Sequence, residues 1–111
     1  MTGPTGPFFH GTTADLPDGV VLTSDPLLYD GRFVYATTDR REARVFGGRF
    51  LRYGGGNPGD QVHVYEVDLD PDTVEVDEDG RGGSVRAVSG RVKTRVETHR
   101  WEDIRGEVEG R

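Results

Sequence analysis

Apolar positions along this chain come in short runs, each closed by glycine, proline or a polar turn. Phe8-Phe9-His10 reads as a short strand that stops at Gly11, and Val20-Val21-Leu22 as a second one after the Pro17-Asp18-Gly19 turn. Arg32-Phe33-Val34-Tyr35-Ala36-Thr37 is a third, entered through Asp30-Gly31. The period then changes. Asp39 followed three residues later by Glu42 is a capping-box pattern, and Ala43, Phe46, Gly47 and Phe50 fall on one helical face. Gly47-Gly48 should weaken the second half of that helix, and the glycine-rich run from Gly54 to Gly59 is a loop. Gln61 to Leu69 is the strongest strand pattern, with Thr73 to Val76 a short extended piece after Pro71. Val92 to Thr98 alternates, placing Val92, Thr94, Val96 and Thr98 on one face, and Trp101 to Ile104 reads as a cover for an open end of the core. The sum is a single α+β domain over residues 1–111, mostly sheet, with one main helix.

Composition narrows what such a domain can do. Only 32% of residues are hydrophobic, so the core must be thin, and the 17 glycines and six prolines fit many turns and short strands. Without cysteine, neither a disulfide framework nor a thiolate metal site is available. No apolar run is long enough to span a membrane, and the first residues lack a charged start and an apolar segment, so a cytoplasmic protein is expected.

The net charge of −6 argues against nonspecific nucleic-acid binding, which is driven by phosphate neutralisation. The charges are unevenly spread. Every charged residue from Asp60 to Asp79 is acidic, while Arg40, Arg41, Arg44, Arg49 and Arg52 form one basic group and Arg86, Arg91, Lys93, Arg95 and Arg100 another. A small anionic ligand held by a few local arginines fits this distribution; most of these side chains are expected to be plain solvated surface.

Three places could carry chemistry. His63 is out of phase with Val62 and Val64 and is expected on the surface, as is His99 at a strand end. His10 differs because it ends an apolar strand and precedes a glycine, beside which a ligand can approach the main chain closely. Tyr35 could be a stacking platform, with Thr37 offering a hydroxyl nearby; as a strand tyrosine it could equally be core. The acidic stretch is the third. Asp68, Asp70, Asp72 and Asp79 have calcium-loop spacing, but Thr73 stands where glycine is needed and Asp79 where a bidentate glutamate is needed. That leaves Val74-Glu75-Val76-Asp77, an extended segment expected to offer Glu75 and Asp77 on opposite faces.

Taken in order, these pieces resemble a known family. His10-Gly11-Thr12-x-Ala14-Asp15-Leu16 is similar to the opening of the small bacterial rifamycin ADP-ribosyltransferases, His-Gly-Thr-x-Ala-Asp-Leu. Val34-Tyr35-Ala36-Thr37 resembles the family's Val-Tyr-x-Thr strand, Phe46-Gly47 stands where it has Trp-Gly, and Val62-His63-Val64-Tyr65-Glu66 resembles its next strand. Val74-Glu75-Val76-Asp77 resembles the strand that carries its acidic residue. The resemblance covers most of the chain. It implies a small, mostly antiparallel split sheet of the ADP-ribosyltransferase type.

It also implies NAD as co-substrate and a catalytic set of His10, Tyr35 and Asp77, with Glu75 and Asp79 as alternatives for the acid. NAD would be held by His10, Gly11, Thr12, Tyr35, Thr37 and Arg40, with Arg44 as an alternative to Arg40. The acceptor implied is a hydroxyl of a rifamycin-type antibiotic, giving drug inactivation by a monomeric enzyme. Other readings are a toxin or effector that modifies a protein or nucleic acid, an RNA 2′-phosphotransferase of the same fold, and a non-enzymatic β-rich interaction module. In the family, a Pro/Asn-rich segment follows the acidic strand and helical residues close the chain. Here the first shrinks to Asp79-Gly80-Arg81-Gly82-Gly83-Ser84, and the chain stops soon after Trp101.

Overall fold

A computed structural model describes residues 4–23, 33–54, 59–77 and 83–110. Arg32, Asp79, the loop at 55–58 and the side chain of Phe50 lie outside the described residues. In chain order the elements are β1 (Phe8–Thr12), β2 (Val21–Thr23), β3 (Val34–Thr37), α1 (Arg40–Gly54), β4 (Gln61–Leu69), β5 (Glu75–Val76), β6 (Ser84–Ala87), β7 (Ser89–Arg100) and α2 (Trp101–Glu109). The strands form one sheet in the order β2-β7-β4-β1-β3-β6-β5, and every described pairing is antiparallel.

The start of α1 follows from Asp39. Its Oδ1 accepts the Arg41 N–H at 2.8 Å, satisfying one orphan donor of the first turn, and its carbonyl accepts the Ala43 N–H at 3.1 Å in the first helical bond. The helix runs straight through Gly47-Gly48, against the expected weakening. The physical reason is close approach. A Cβ on Gly47 would lie 2.7 Å from the Thr12 nitrogen, and one on Gly48 would lie 2.7 Å from Val108 Cγ2. The two glycines cost helix propensity but let β1 and α2 pack directly against the α1 backbone.

The sheet buries both faces. Phe8, Ala36, Tyr65, Val67 and Val92 share one core with Leu16, Val20 and Leu22 packed against it. On the other face α1 covers Phe9 and Val64, and α2 covers Val62. One main helix is thus too few. The Trp101 segment forms a nine-residue helix that buries Trp101, Ile104 and Val108, one face of a helical repeat. Burial of Ile104 and Val108 stabilises the docking by roughly 1.5–3 kcal/mol each.

Several strand expectations need correction. β1 continues through Gly11 and Thr12, because β4 pairs with all five of its residues. β6 was not foreseen, since Ser84-Val85-Arg86-Ala87 is too short and mixed to stand out. Thr73 and Val74 belong to a turn around Asp70, leaving only Glu75–Val76 as strand. Val92 and Val96 do not share a face. The β4·β7 register shifts between Glu66 and Val67 and again between Val64 and Tyr65, so Val92 joins the Tyr65 core while Val96 packs with Phe9 and Ala43. His63 is 5% exposed instead of being a surface residue, because its strand is covered on both sides.

Candidate functional site

The candidate site starts with the two edges of β1. Toward β4 the ladder runs from Phe8↔Val67 to Thr12↔His63; toward β3 it holds at one position, Phe9↔Thr37. Hydrogen-bonding direction alternates along an antiparallel strand, so the Gly11 amide and carbonyl face the β3 side, where pairing has ceased. The His10 ring occupies that break: its Nδ1 lies 2.8 Å from the Tyr35 carbonyl oxygen. A carbonyl only accepts, so Nδ1 carries the proton and Nε2 presents a lone pair. Burial pushes the His10 pKa below its ordinary 6.5, and the bond to Tyr35 offsets only part of this, which keeps the imidazole neutral. Among the described residues Nε2 has no hydrogen-bond partner, and the residue as a whole is half-buried.

Gly11 has a reason of its own. A Cβ there would sit 1.7 Å from the Ala43 carbonyl oxygen, inside the α1 backbone. Gly11 and Gly47 are reciprocal, each giving the other element room. The glycine after His10 is therefore required by packing whether or not a ligand approaches it. Gly11 is itself buried, and its peptide edge on the β3 side lies beyond the last β1·β3 pair.

The predicted side chains are brought together in part. His10 is in phase with Phe8 and leaves β1 on the Tyr65 face, whereas Tyr35 leaves β3 on the α1 face and stacks on Phe46, with centroids 6.2 Å apart. They meet through the Tyr35 carbonyl, not ring to ring. Across β3, β6 and β5 the register lines up two polar rows on the α1 face. Tyr35, Arg86 and Glu75 form one; Thr37, Ser84 and Asp77 form the next, closed by the Asp77 N–H donating to the Ser84 carbonyl at 3.0 Å. Glu75 and Asp77 thus share a face, correcting the expected opposition, because residues two apart in extended chain point the same way.

The remaining predicted binders are mostly engaged. Thr37 is buried and its Oγ1 accepts the Asp39 N–H at 3.1 Å; Thr12 Oγ1 accepts the Ala14 N–H at 3.1 Å. Arg40 lies over the Phe9 ring at 5.1 Å and faces Glu97 at 3.7 Å. Arg44 is tied to Glu97 at 2.9 Å and Glu107 at 3.1 Å, a clamp joining α1, β7 and α2. Burial raises the Glu97 pKa, but hydrogen bonds from His99 and Arg44 outweigh it and hold the carboxyl below its ordinary range. The two helix-start arginines are thus structural cations.

Sequence reasoning missed two residues that shape the site. Tyr65, at the centre of β4, donates its hydroxyl to the Ala14 carbonyl at 3.0 Å and accepts the Leu16 N–H at 2.8 Å, pinning the segment after Thr12. Arg86 stands beside Tyr35, its Nε donating to Glu75 at 2.7 Å and its guanidinium 4.5 Å from the Phe33 ring centre. The opposite charges of Glu75 and Arg86 on either side of the glycine loop were the available signal. A cavity of about 350 Å³ lies at the other end of β1, against Phe8, Glu66 and Lys93, and touches none of the predicted site residues.

Among the described residues no group of three His, Cys, Asp or Glu side chains could hold a metal ion, and no helix is long and apolar enough to cross a membrane. No protein-family model matches the chain, and no curated protein matches it at a significant level.

Proposed function

We propose that this protein is an NAD-dependent ADP-ribosyltransferase of the rifamycin-modifying type. The observation that supports the reading is the break between β1 and β3, where the His10 imidazole holds the Tyr35 carbonyl and the Gly11 peptide edge lies beyond the last strand pair, with the Tyr35 ring on the opposite face of the sheet. In this reading His10 Nε2 accepts a ribose hydroxyl of NAD. The Gly11 N–H and C=O, one donor and one acceptor side by side, match a carboxamide. Tyr35 stacks on the nicotinamide ring. The bond between ribose C1′ and the nicotinamide nitrogen breaks with its electron pair going to nicotinamide, which leaves neutral. Positive charge then builds on the ribose, as in glycoside cleavage, and the carboxylate of Asp77 stabilises it. The acceptor hydroxyl forms the new bond to C1′ and gives up its proton to a carboxylate or solvent.

Incubation with NAD and rifampicin followed by mass spectrometry tests this. The expected result is one ADP-ribosyl group on the drug, lost in His10→Ala and Tyr35→Ala. An untouched drug beside a modified macromolecule in lysate would keep the chemistry and change the acceptor. If no concentration of NAD shifts the melting temperature, the enzyme reading falls and an interaction module remains; saturation at a hundredfold the dissociation constant stabilises by roughly 2.7 kcal/mol, an easily measured shift.

A further inference from the structure

Arg86 is anchored without being used up. Its Nε binds Glu75 Oε1 at 2.7 Å, and its guanidinium lies over the Phe33 ring at 4.5 Å. Both contacts fix the position of the guanidinium; its two terminal nitrogens make no hydrogen bond among the described residues, with Asp77 and Tyr35 close enough to act on its charge. A guanidinium held by Nε and an aromatic ring still offers a planar fork of donors, the geometry that suits a phosphate. Arg86 lies directly across the ladder from Tyr35 on the same face, so the fork opens beside the aromatic platform. Its side chain is 31% exposed, open enough for a ligand to enter. Arg40 and Arg44 are paired with Glu97, and Arg49, over the Phe46 ring at 5.1 Å, is one residue further from the Tyr35 row.

From this geometry we infer that Arg86 is the anion-binding residue of the site and holds a phosphate group of the ligand with its terminal nitrogens. The inference rests on the NAD reading for the identity of the ligand, and on the coordinates for the identity of the arginine. It also gives Glu75 a role. The carboxylate positions Arg86 through Nε, and Asp77, one row along, adds to the negative field around the same guanidinium.

Calorimetry with two probes, NAD and inorganic pyrophosphate, on the whole chain tests it. Wild type is expected to bind both, and Arg86→Gln to weaken both by at least tenfold while its melting temperature stays within a few degrees. Arg86→Lys, which keeps the charge and loses the fork, should recover only part of the affinity. Glu75→Gln breaks the same ion pair but keeps the guanidinium, and should retain pyrophosphate binding. Equal loss in Glu75→Gln and Arg86→Gln would mean that the pair only holds β5 in place, and would overturn the inference. Unchanged NAD affinity in Arg86→Gln would overturn it and leave the enzyme reading standing. Pyrophosphate bound through Arg86 by a chain that ignores NAD would do the reverse. Absence of binding to either probe would overturn both.

Discussion

The two edges of β1 differ sharply in how much partner strand they carry. On one side β4 pairs with all five residues, its own residues from Val62 to Tyr65 are buried, and the Tyr65 hydroxyl ties down the chain beyond. On the other side β3 pairs at a single position, and a histidine ring takes over from the backbone. The lesson is that one strand can be fully paired along one edge and barely paired along the other. Its position is set by β4 and α1, which frees its other edge from the task of holding the sheet together. A ligand entering there would meet groups already held in place, the condition under which binding loses least to ordering.

Four measurements would break or sharpen this contrast. Gly11→Ala should have the largest effect, because its Cβ collides with the α1 backbone instead of with a mobile side chain. Urea unfolding should show a loss of about 3 kcal/mol or more. Unchanged stability would mean that the helix yields and that the glycine answers only to a ligand. Next, Tyr65→Phe removes both hydroxyl bonds on the closed side and should cost roughly 2 kcal/mol. Limited proteolysis should then cut within residues 13–17 sooner than in wild type.

On the sparsely paired side, His10→Phe should cost only about 1 kcal/mol, since a single part-buried hydrogen bond is lost. The same variant should lose NAD binding altogether, and a retained NAD-induced rise in melting temperature would remove His10 from the site. The smallest effect is with pH. Burial lowers the pKa of both His10 and His63 below 6.5 in the folded state, so the unfolded chain binds more protons on acidification. Stability should be full above pH 6.5 and fall as pH drops from there toward the folded-state values. Replacing both histidines should flatten the pH 7 to pH 5 limb of the denaturation midpoint; an unaltered slope would show that neither is held neutral.

Much of the architecture was legible as pattern. Asp39 and Glu42 announced α1, and the Gln61–Leu69 run gave β4 to the residue, because both signals are local: a cap followed by a 3.6 period, and a dense β-branched stretch. Where reading failed, the deciding contact was remote. His63 looked exposed by phase, but a sheet covered on both faces has no exposed phase in its centre. The bulges in β7 reversed the side on which Val96 falls, and bulges depend on the partner strand. Arg40 looked like a ligand-binding cation until Glu97 and Phe9, 57 and 31 positions away in the chain, were placed against it.

The order of elements, the His-Gly-Thr and Val-Tyr-x-Thr segments and the resemblance they carry are properties of the chain read from end to end. They rest on neighbours a few residues apart, whose interactions need no fold to be recognised. That the glycine after His10 makes room for Ala43, that the imidazole closes on the Tyr35 carbonyl, and that Arg86 instead of Arg40 faces the tyrosine became visible only with the chain folded. Each depends on which strands lie side by side and in which register. A shift of one residue along β3 would turn Tyr35 to the other face, and one along β6 would do the same to Arg86.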